Sequence, residues 1–451
     1  SKADLISLIT LTPYGMYPYA GVPWYDTTFG RDGIITAMEV LWMAPQVAKN
    51  VLKFLAHMQA TKVDPENDAE PGKILHEARS GEMANTGEVP FKKYYGTIDA
   101  TPLFVMLAGM YYQQTADIDT IKKLWSNIKA ALGWIDNYGD LDGDGFVEYK
   151  HKAKNGLTNQ GWKDSYDSIM YKDGELCEPP IALCEVQSYV YAAKEGMSTI
   201  AKHMGDRSLS DRLEAEASNL RQKFSAMFWS DELSLFVLAL DGEKNQCRVA
   251  SSNAGHCLFS GIASDLQHRS ISKELLSPTF YSGWGIRTLV TGERRYNPMS
   301  YHNGSVWPHD NAMIAWGGLN KRDKELPLQI LSGLLDLSSE VIQHRLPELI
   351  CGFERRPGKG PTLYPVACSP QAWAAGSVFM VMQACLGIEV RALEHRIYLH
   401  YSALPEAIKH VNVSNLRVGD SCLDMSFERR AEGVDVNIRR RSGEVEVVVL
   451  R

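Results

Sequence analysis

No extended run of basic residues occurs in this 451-residue chain, and its net charge is −7. Nucleic acid is therefore not an expected partner, because neutralising phosphates takes a basic face. The chain also lacks a zinc-spaced Cys/His set, a Walker-type loop and a Gly-x-Gly-x-x-Gly loop. Nucleotide cofactors thus have no visible seat, and the expectation is that none is required. No apolar run reaches the roughly 18 residues of a membrane helix, and no signal peptide opens the chain. The eight cysteines are scattered through helical or apolar segments and read as buried thiols, which favours a reducing, cytoplasmic compartment. No internal repeat is present, which argues against a solenoid. The opening Ser1-Lys2-Ala3-Asp4-Leu5 lacks an initiator Met and starts in a helical pattern, so a cleaved tag or a missing upstream domain is left open.

What is present is a large apolar fraction, 45% of residues, arranged with helical period up to about residue 386. Ile118, Ile121, Trp125, Ile128, Leu132 and Ile135 recur at three- and four-residue steps. So do Leu209, Leu213, Leu220, Phe224 and Met227, and later Leu326, Ile330, Leu334, Leu337 and Val341. Further helices are expected near 31–43, 45–60, 99–115, 181–204, 305–319 and 370–386. The long loops between them are rich in Trp, Tyr, Asp and Gly, which suits a closed ring of helical hairpins with a loop-built funnel at one end. Past residue 390 the period changes to two, in Val411 and Val413, Leu423 to Phe427, Val434 to Ile438 and Val445 to Val449. This predicts a small C-terminal antiparallel β appendage, with a boundary at 387/388.

Two distant segments set carboxylates beside apolar or aromatic residues, where a carboxyl pKa can shift: Asn159-Gln160-Gly161-Trp162-Lys163-Asp164-Ser165 and Leu346-Pro347-Glu348-Leu349. They are a candidate acid/base pair of the kind glycoside hydrolysis needs. The loops add sugar-binding chemistry, aromatic platforms with carboxylates, amides and Arg. Pro23 to Asp32 carries Trp24, Tyr25, Asp26, Arg31 and Asp32 ahead of a helix; capping by Asp32 would explain neither Trp24 nor Arg31. Thr97-Ile98-Asp99 divides between capping and binding. Gly283-Trp284-Gly285-Ile286-Arg287 and Tyr301 to His309 are two more aromatic-polar loops. Asp140-Leu141-Asp142-Gly143-Asp144-Gly145 opens like an EF-hand loop, but its twelfth position is His151 instead of a bidentate Glu. A tight acidic turn bordering the active site is expected there, with a looser structural Ca²⁺ site left open. The Glu77 loop, with polar neighbours, ranks below the pair.

The Trp24–Asp32 loop, Lys73-Ile74-Leu75-His76-Glu77, the Asp140–Gly145 turn, Gln160 to Ser165, Gly283-Trp284-Gly285, Leu346 to Leu349 and Cys368-Ser369-Pro370-Gln371-Ala372-Trp373 together resemble the bacterial amylo-α-1,6-glucosidase-type proteins. These are relatives of the glucosidase domain of glycogen debranching enzyme and of the α-glucosidase/trehalase group. The resemblance covers roughly residues 5 to 390 in order. It implies a mainly α fold, an (α/α)6 barrel over 1–387 followed by the β-rich 388–451. It also implies inverting hydrolysis, with Asp164 as general acid and Glu348 as general base. Asp167 is the rival acid, sharing a face with Asp164 if the intervening turn is helical. The candidate substrate-binding residues are Trp24, Asp26, Arg31, Asp32, Asp99, Trp162, Lys163, Asp167, Trp284, His302, Trp307, Gln371 and Trp373, with no metal ligands. The implied substrate is an α-1,6-linked, glycogen-like or short branched glucan. The relatives usually carry an N-terminal β-rich domain that this chain does not show, so a small α-glucoside of glucosylglycerate type is the alternative. Inverting sugar phosphorylases and non-catalytic carbohydrate-binding proteins are the rival classes; the carboxylate at Glu348 speaks against the first, and the presence of both carboxylates against the second.

Overall fold

The computed structural model describes residues 1–451 apart from 87, 89, 90, 320, 322 and 451. Its helices are α1 (Lys2–Leu8), α2 (Gly30–Glu39), α3 (Pro45–Met58), α4 (Glu82–Thr86), α5 (Ala100–Thr115), α6 (Ile118–Trp134), α7 (Cys184–His203), α8 (Arg207–Phe228), α9 (Asn253–Phe259), α10 (Asp265–Leu275), α11 (Pro308–Gly317), α12 (Glu325–Glu340) and α13 (Ala372–Leu386). Contacts run in a cycle: α2 packs on α5, α5 on α7, α7 on α9, α9 on α11, α11 on α13, and α13 back on α2. Outside that ring, α3 lies against α2 and α5, α6 against α5, α8 against α7, α10 against α9, α12 against α11 and α13, and α1 against α13.

The two layers differ in sequence for a physical reason. Every residue of α2 is buried, and α11 and α13 are almost wholly so. A helix enclosed on all sides needs no polar face. The outer α8 instead buries one stripe, including Leu213, Ala217, Leu220 and Phe224. Each such fully buried large side chain contributes about 1.5–3 kcal/mol. Where α5 meets α7 the backbones nearly touch: a Cβ on Gly109 would lie 3.4 Å from the Cα of Gly196.

Helices α9 and α10 were not expected. All of α9 is buried, so it displays no period. Helix α10 carries a readable start, since Ser264 and Gln267 form a reciprocal capping box.

Helix α13 ends on Gly387 in the left-handed region at φ 69°. Beyond it, His410–Val418, Ser421–Arg430 and Gly433–Ser442 form an antiparallel sheet. Leu423, Met425 and Phe427 are buried against Leu386 and Trp42. The expectation of a wholly antiparallel appendage needs correction: Glu446–Leu450 pairs in parallel with Arg396–His400. Alternation reports which face is buried but carries no information on strand direction.

The Asp140–Gly145 turn does not border the pocket described below. Asp140, Asp142 and Asp144 converge within 4.8 Å. Lys244 reaches Asp142 at 2.9 Å and Asp144 at 3.3 Å, and Lys223 of α8 reaches Asp144 at 3.4 Å. Among the described residues no helix is long and apolar enough to cross a membrane.

Candidate active site

Four of the inner helices are entered from an extended residue. Phe29, Leu183, Trp307 and Gln371, the residues entering α2, α7, α11 and α13, all have extended backbone before the helix turns in. Phe29, Arg31 and Asp32 at the start of α2, Trp307 before α11, and Gln371 and Trp373 at α13 line a cavity that the loop residues Tyr25, Trp162, Asp164, Tyr301, His302 and Glu348 complete. The cavity is narrow, with about 50 Å³ of space inside. Two wider grooves elsewhere, one beside Tyr171 and Arg248 and one beside Tyr112 and Arg391, hold no pair of buried carboxylates.

Glu348 is 1% exposed. The Tyr301 hydroxyl donates to its Oε1 at 2.5 Å, and the Cys368 N–H donates to Oε2 at 2.8 Å. Burial pushes its carboxyl up to about 7; the two donors oppose that shift and the charge of Asp164 adds to it. Asp164 keeps 27% of its side chain exposed, toward the mouth. Burial raises it to about 6 against the pull of Arg31, with Asp99 adding to the rise. Asp32 lies in the same cavity, pushed up to about 8 by burial, so it carries a proton at neutral pH and can donate to a sugar hydroxyl.

Arg31 ties this wall together. Its Nε donates to Asp99 at 2.6 Å and its Nη2 to the Gly161 carbonyl at 2.7 Å and to Thr97 at 3.2 Å, while Nη1 faces Asp164 at 3.4 Å. The loop that carries Asp164 is pinned on several sides. Lys163 donates to the Thr288 carbonyl at 2.6 Å, Asn159 to the Ser165 carbonyl at 2.7 Å, and Ser165 bonds His302 at 2.7 Å. Burial, then Lys163 and Arg31, hold His302 well below the usual histidine range, so it is neutral.

Aromatic rings form the floor. Trp162 meets His302, Trp307 and His309 edge-on, and His309 stacks on Trp373 at 3.8 Å. Three polar atoms on cavity-lining residues, Trp162 Nε1, Trp373 Nε1 and Gln371 Oε1, are buried with no hydrogen-bond partner. A buried orphan donor or acceptor costs about 1–3 kcal/mol. Such atoms suit a ligand whose hydroxyls pair with them.

The structure brings together Arg31, Asp32, Trp162, Asp164, His302, Trp307, Glu348, Gln371 and Trp373 from the set expected by sequence. It places the others away from the lining. Trp24 is 55% exposed, its indole bonded to the Val366 carbonyl; Asp26 is exposed beside it. Lys163 points behind Trp162 to Thr288, and burial lowers it to about 8. Asp167 does not line the cavity; its carbonyl accepts from Asn303 at 3.1 Å. Trp284 is buried under Arg355, 4.6 Å from its ring centroid. Asp99 sits one layer back as the partner of Arg31. Tyr25, Phe29 and Tyr301 were missed. Tyr25 and Tyr301 stand in the aromatic loops already singled out, but nothing local marks Tyr301 as the donor to a residue 47 positions away.

Tyr301→Phe removes one hydrogen bond that favours ionised Glu348. Its carboxyl should rise further, moving the limb of the pH–rate profile near 7 upward and leaving less of the form with Glu348 ionised and Asp164 protonated. The loss in kcat at the parent's optimum should be about 10- to 100-fold, the size of one charge-assisted bond. A profile superimposable on the parent's would show that the bond has no part in the reaction.

A small pocket with an aromatic floor, two carboxylates and a guanidinium, set at the starts of a cycle of helices, is the arrangement of an α-helical glycosidase. The sequence agrees: residues 25–343 match the mannosylglycerate hydrolase MGH1-like glycoside hydrolase domain, and the chain belongs to that family. It is a glycoside hydrolase. Among solved structures it is similar to the GH63 mannosylglycerate hydrolase from Thermus thermophilus in complex with Tris and D-glycerate. The TM-score is 0.62 and the identity 12%, with 84% of this chain and 98% of that one covered. A GH78 rhamnosidase from Bacillus sp. GL1 is similar at TM-score 0.64 and 14% identity, over 95% of this chain and 39% of that one. A sialidase matches at TM-score 0.66 and 12% identity, over 99% and 39%. At these identities the likeness is one of fold. No curated protein sequence matches the chain.

Proposed function

We propose that the protein is an inverting hydrolase of a small α-glycoside, of the glucosylglycerate or mannosylglycerate type. The helix cycle is read as an (α/α)6 barrel over 1–387, followed by a β-rich unit over 388–451. The observation that carries the reading is the pairing of Asp164 and Glu348 in one narrow cavity floored by aromatic rings. Asp164, at the mouth, is the general acid: its proton goes to the glycosidic oxygen as the C1–O bond breaks. Glu348, deeper and held by Tyr301 and Cys368, is the general base: it takes a proton from the water that attacks C1 from the opposite face. The products are a sugar of inverted configuration and the free alcohol, and the scheme is complete with two carboxylates and one water. Arg31, Asp32, Trp162, His302, Trp307, Gln371 and Trp373 hold the sugar. Eight unpaired thiols suit a reducing, cytoplasmic setting.

The α-1,6-glucosidase reading, on glycogen-like glucans, has less support. The cavity is narrow, and the family match names a mannosylglycerate hydrolase-like domain. The test is proton NMR of the sugar first released from glucosylglycerate, mannosylglycerate, isomaltose, panose and branched limit dextrin, with and without phosphate. The expected outcome is the β-anomer from a glycerate glycoside, independent of phosphate. Release of the α-anomer would sink the inverting assignment, and turnover confined to limit dextrin would sink the small-substrate one. The pH profile of kcat/KM should be a bell with limbs near the values of about 6 and about 7 that the pair carries. Below the bell both carboxyls carry protons and above it neither does; because Glu348 lies above Asp164, the reactive form with Asp164 protonated and Glu348 ionised is the minor one-proton state, and the two limbs belong to the pair jointly.

A further inference from the structure

We infer that Arg79 reads the leaving group, pairing with a carboxylate one carbon beyond the glycosidic oxygen; the inference rests on the small-glycoside reading above. The strand Thr28–Phe29 pairs antiparallel with Glu77–Ala78, with Phe29 opposite Glu77. Directly opposed residues project to the same face of a β-ribbon, and a residue two positions on shares that face. Phe29, Glu77 and Arg79 therefore lie on one side, and Phe29 lines the cavity. The guanidinium of Arg79 lies 5.9 Å from the ring centroids of both Phe29 and Phe91.

The couple is arranged with its anion behind and its cation in front. Arg79 Nε donates to Glu77 Oε2 at 2.6 Å, with the Glu77 side chain 6% exposed and that of Arg79 34%. The main chain is fixed too, through Arg79 N–H to the Phe91 carbonyl at 2.8 Å. Nη1 makes only a long 3.5 Å bond to the Trp24 carbonyl, and Nη2 has no partner among the described residues. A fork held at Nε with its Nη edge toward solvent is suited to bidentate carboxylate binding. Arg31, the other guanidinium of the site, cannot serve, because its donors already meet Asp99, Thr97, Gly161 and Asp164.

The chemistry requires such a cation. A 2-O-glycosyl hydroxy acid places its carboxylate two bonds from the oxygen that Asp164 must protonate. That negative charge would stand close to Glu77 and, once the proton has gone to the glycosidic oxygen, to ionised Asp164, and like charges at such range repel unless a cation meets one of them. Arg79 removes the repulsion and fixes the leaving group, leaving the sugar pocket to identify the ring.

The test compares kcat/KM for an α-glycosyl glycerate with that for the matching α-glycosyl glycerol, in which a hydroxymethyl group replaces the carboxylate. The parent, Arg79→Gln and Arg79→Lys are measured on both. The ratio of the two values on one preparation is independent of how much of a variant is folded. The parent should prefer the glycerate; Arg79→Gln should reduce that preference by about 50-fold, the scale of one charge-assisted pair, and Arg79→Lys by less. The inhibition constant of free D-glycerate should weaken in step, while glycerol stays a poor inhibitor throughout. A parent preference that survives Arg79→Gln would overturn the assignment and spare the small-glycoside reading. Equal losses on both substrates would show a structural role only and overturn it as well. A parent that favours the neutral glycoside would overturn the anionic-substrate reading and this inference together.

Discussion

Asp164→Asn is expected to lower kcat on a glycerate or disaccharide glycoside by about 10³- to 10⁴-fold while leaving the fold intact, at the upper end of what one acid or base group supplies. Glu348→Gln should cost as much, and the two variants part company on an α-glycosyl fluoride. Fluoride departs without a proton, so the Asn variant should regain most of the parent's rate. The Gln variant should stay inactive, because its deficit is the unactivated water. Asp167→Asn, whose residue lies off the cavity lining, should fall within about threefold of the parent, the scale of a surface change away from the chemistry. Full activity in either of the first two variants would remove that residue from the reaction. Loss in Asp167→Asn without loss of Tm would return the acid role to Asp167.

Arg31→Leu should be the most damaging single change to fold and activity together. Arg31 is 2% exposed and meets Asp99, itself fully buried. Removing the cation leaves Asp99 charged and buried with only Thr97 donating to it, an arrangement that costs about 3–5 kcal/mol. Asp164 loses its cation as well and the Gly161 carbonyl its donor. A displacement of the acid on the order of 1 Å is enough to cost about 10²-fold in kcat. Arg31→Lys should recover part of the stability and little of the rate, since an ammonium restores charge but not the fork that reaches four partners. Thermal unfolding and kcat measured on the same preparations check this. A Lys variant of full activity would show that charge alone is what the site uses.

How much of this was legible in the chain depends on how far each signal reaches. Asp164 and Glu348 announced themselves because Trp162, Leu346 and Leu349 sit beside them in sequence, so the environment that shifts a carboxyl is local. Arg31 and Asp32 were legible as a polar couple inside an aromatic loop ahead of a helix. Lys163 and Trp284 carried equally suggestive neighbours and proved to serve packing, one bonded behind Trp162 and the other lying under Arg355. A loop rich in Trp and Lys states which side chains are available, and the turn of the backbone decides which way each one faces. Tyr301 stands in an aromatic-polar loop, but its partner Glu348 is 47 residues away and no local pattern joins the two. The Glu77 loop shows polar neighbours in sequence and no aromatic support, because the ring beside its Arg79, Phe29, arrives from another strand.

The sequence by itself determined the helical and strand periods, the change of period near residue 387, the acid/base candidates and the lack of any motif for nucleotide or nucleic-acid chemistry. Each of these is a property of neighbours within one or two helical turns, and amphipathic spacing and flanking residues record such properties directly. Tertiary structure alone decided that α13 returns to α2 and closes the ring, that Glu446–Leu450 runs parallel to Arg396–His400, and that Phe29, Glu77 and Arg79 share a face beside Asp164's cavity. Those pairings join segments tens to hundreds of residues apart, and their geometry is fixed by which buried surfaces fit together when the whole core condenses.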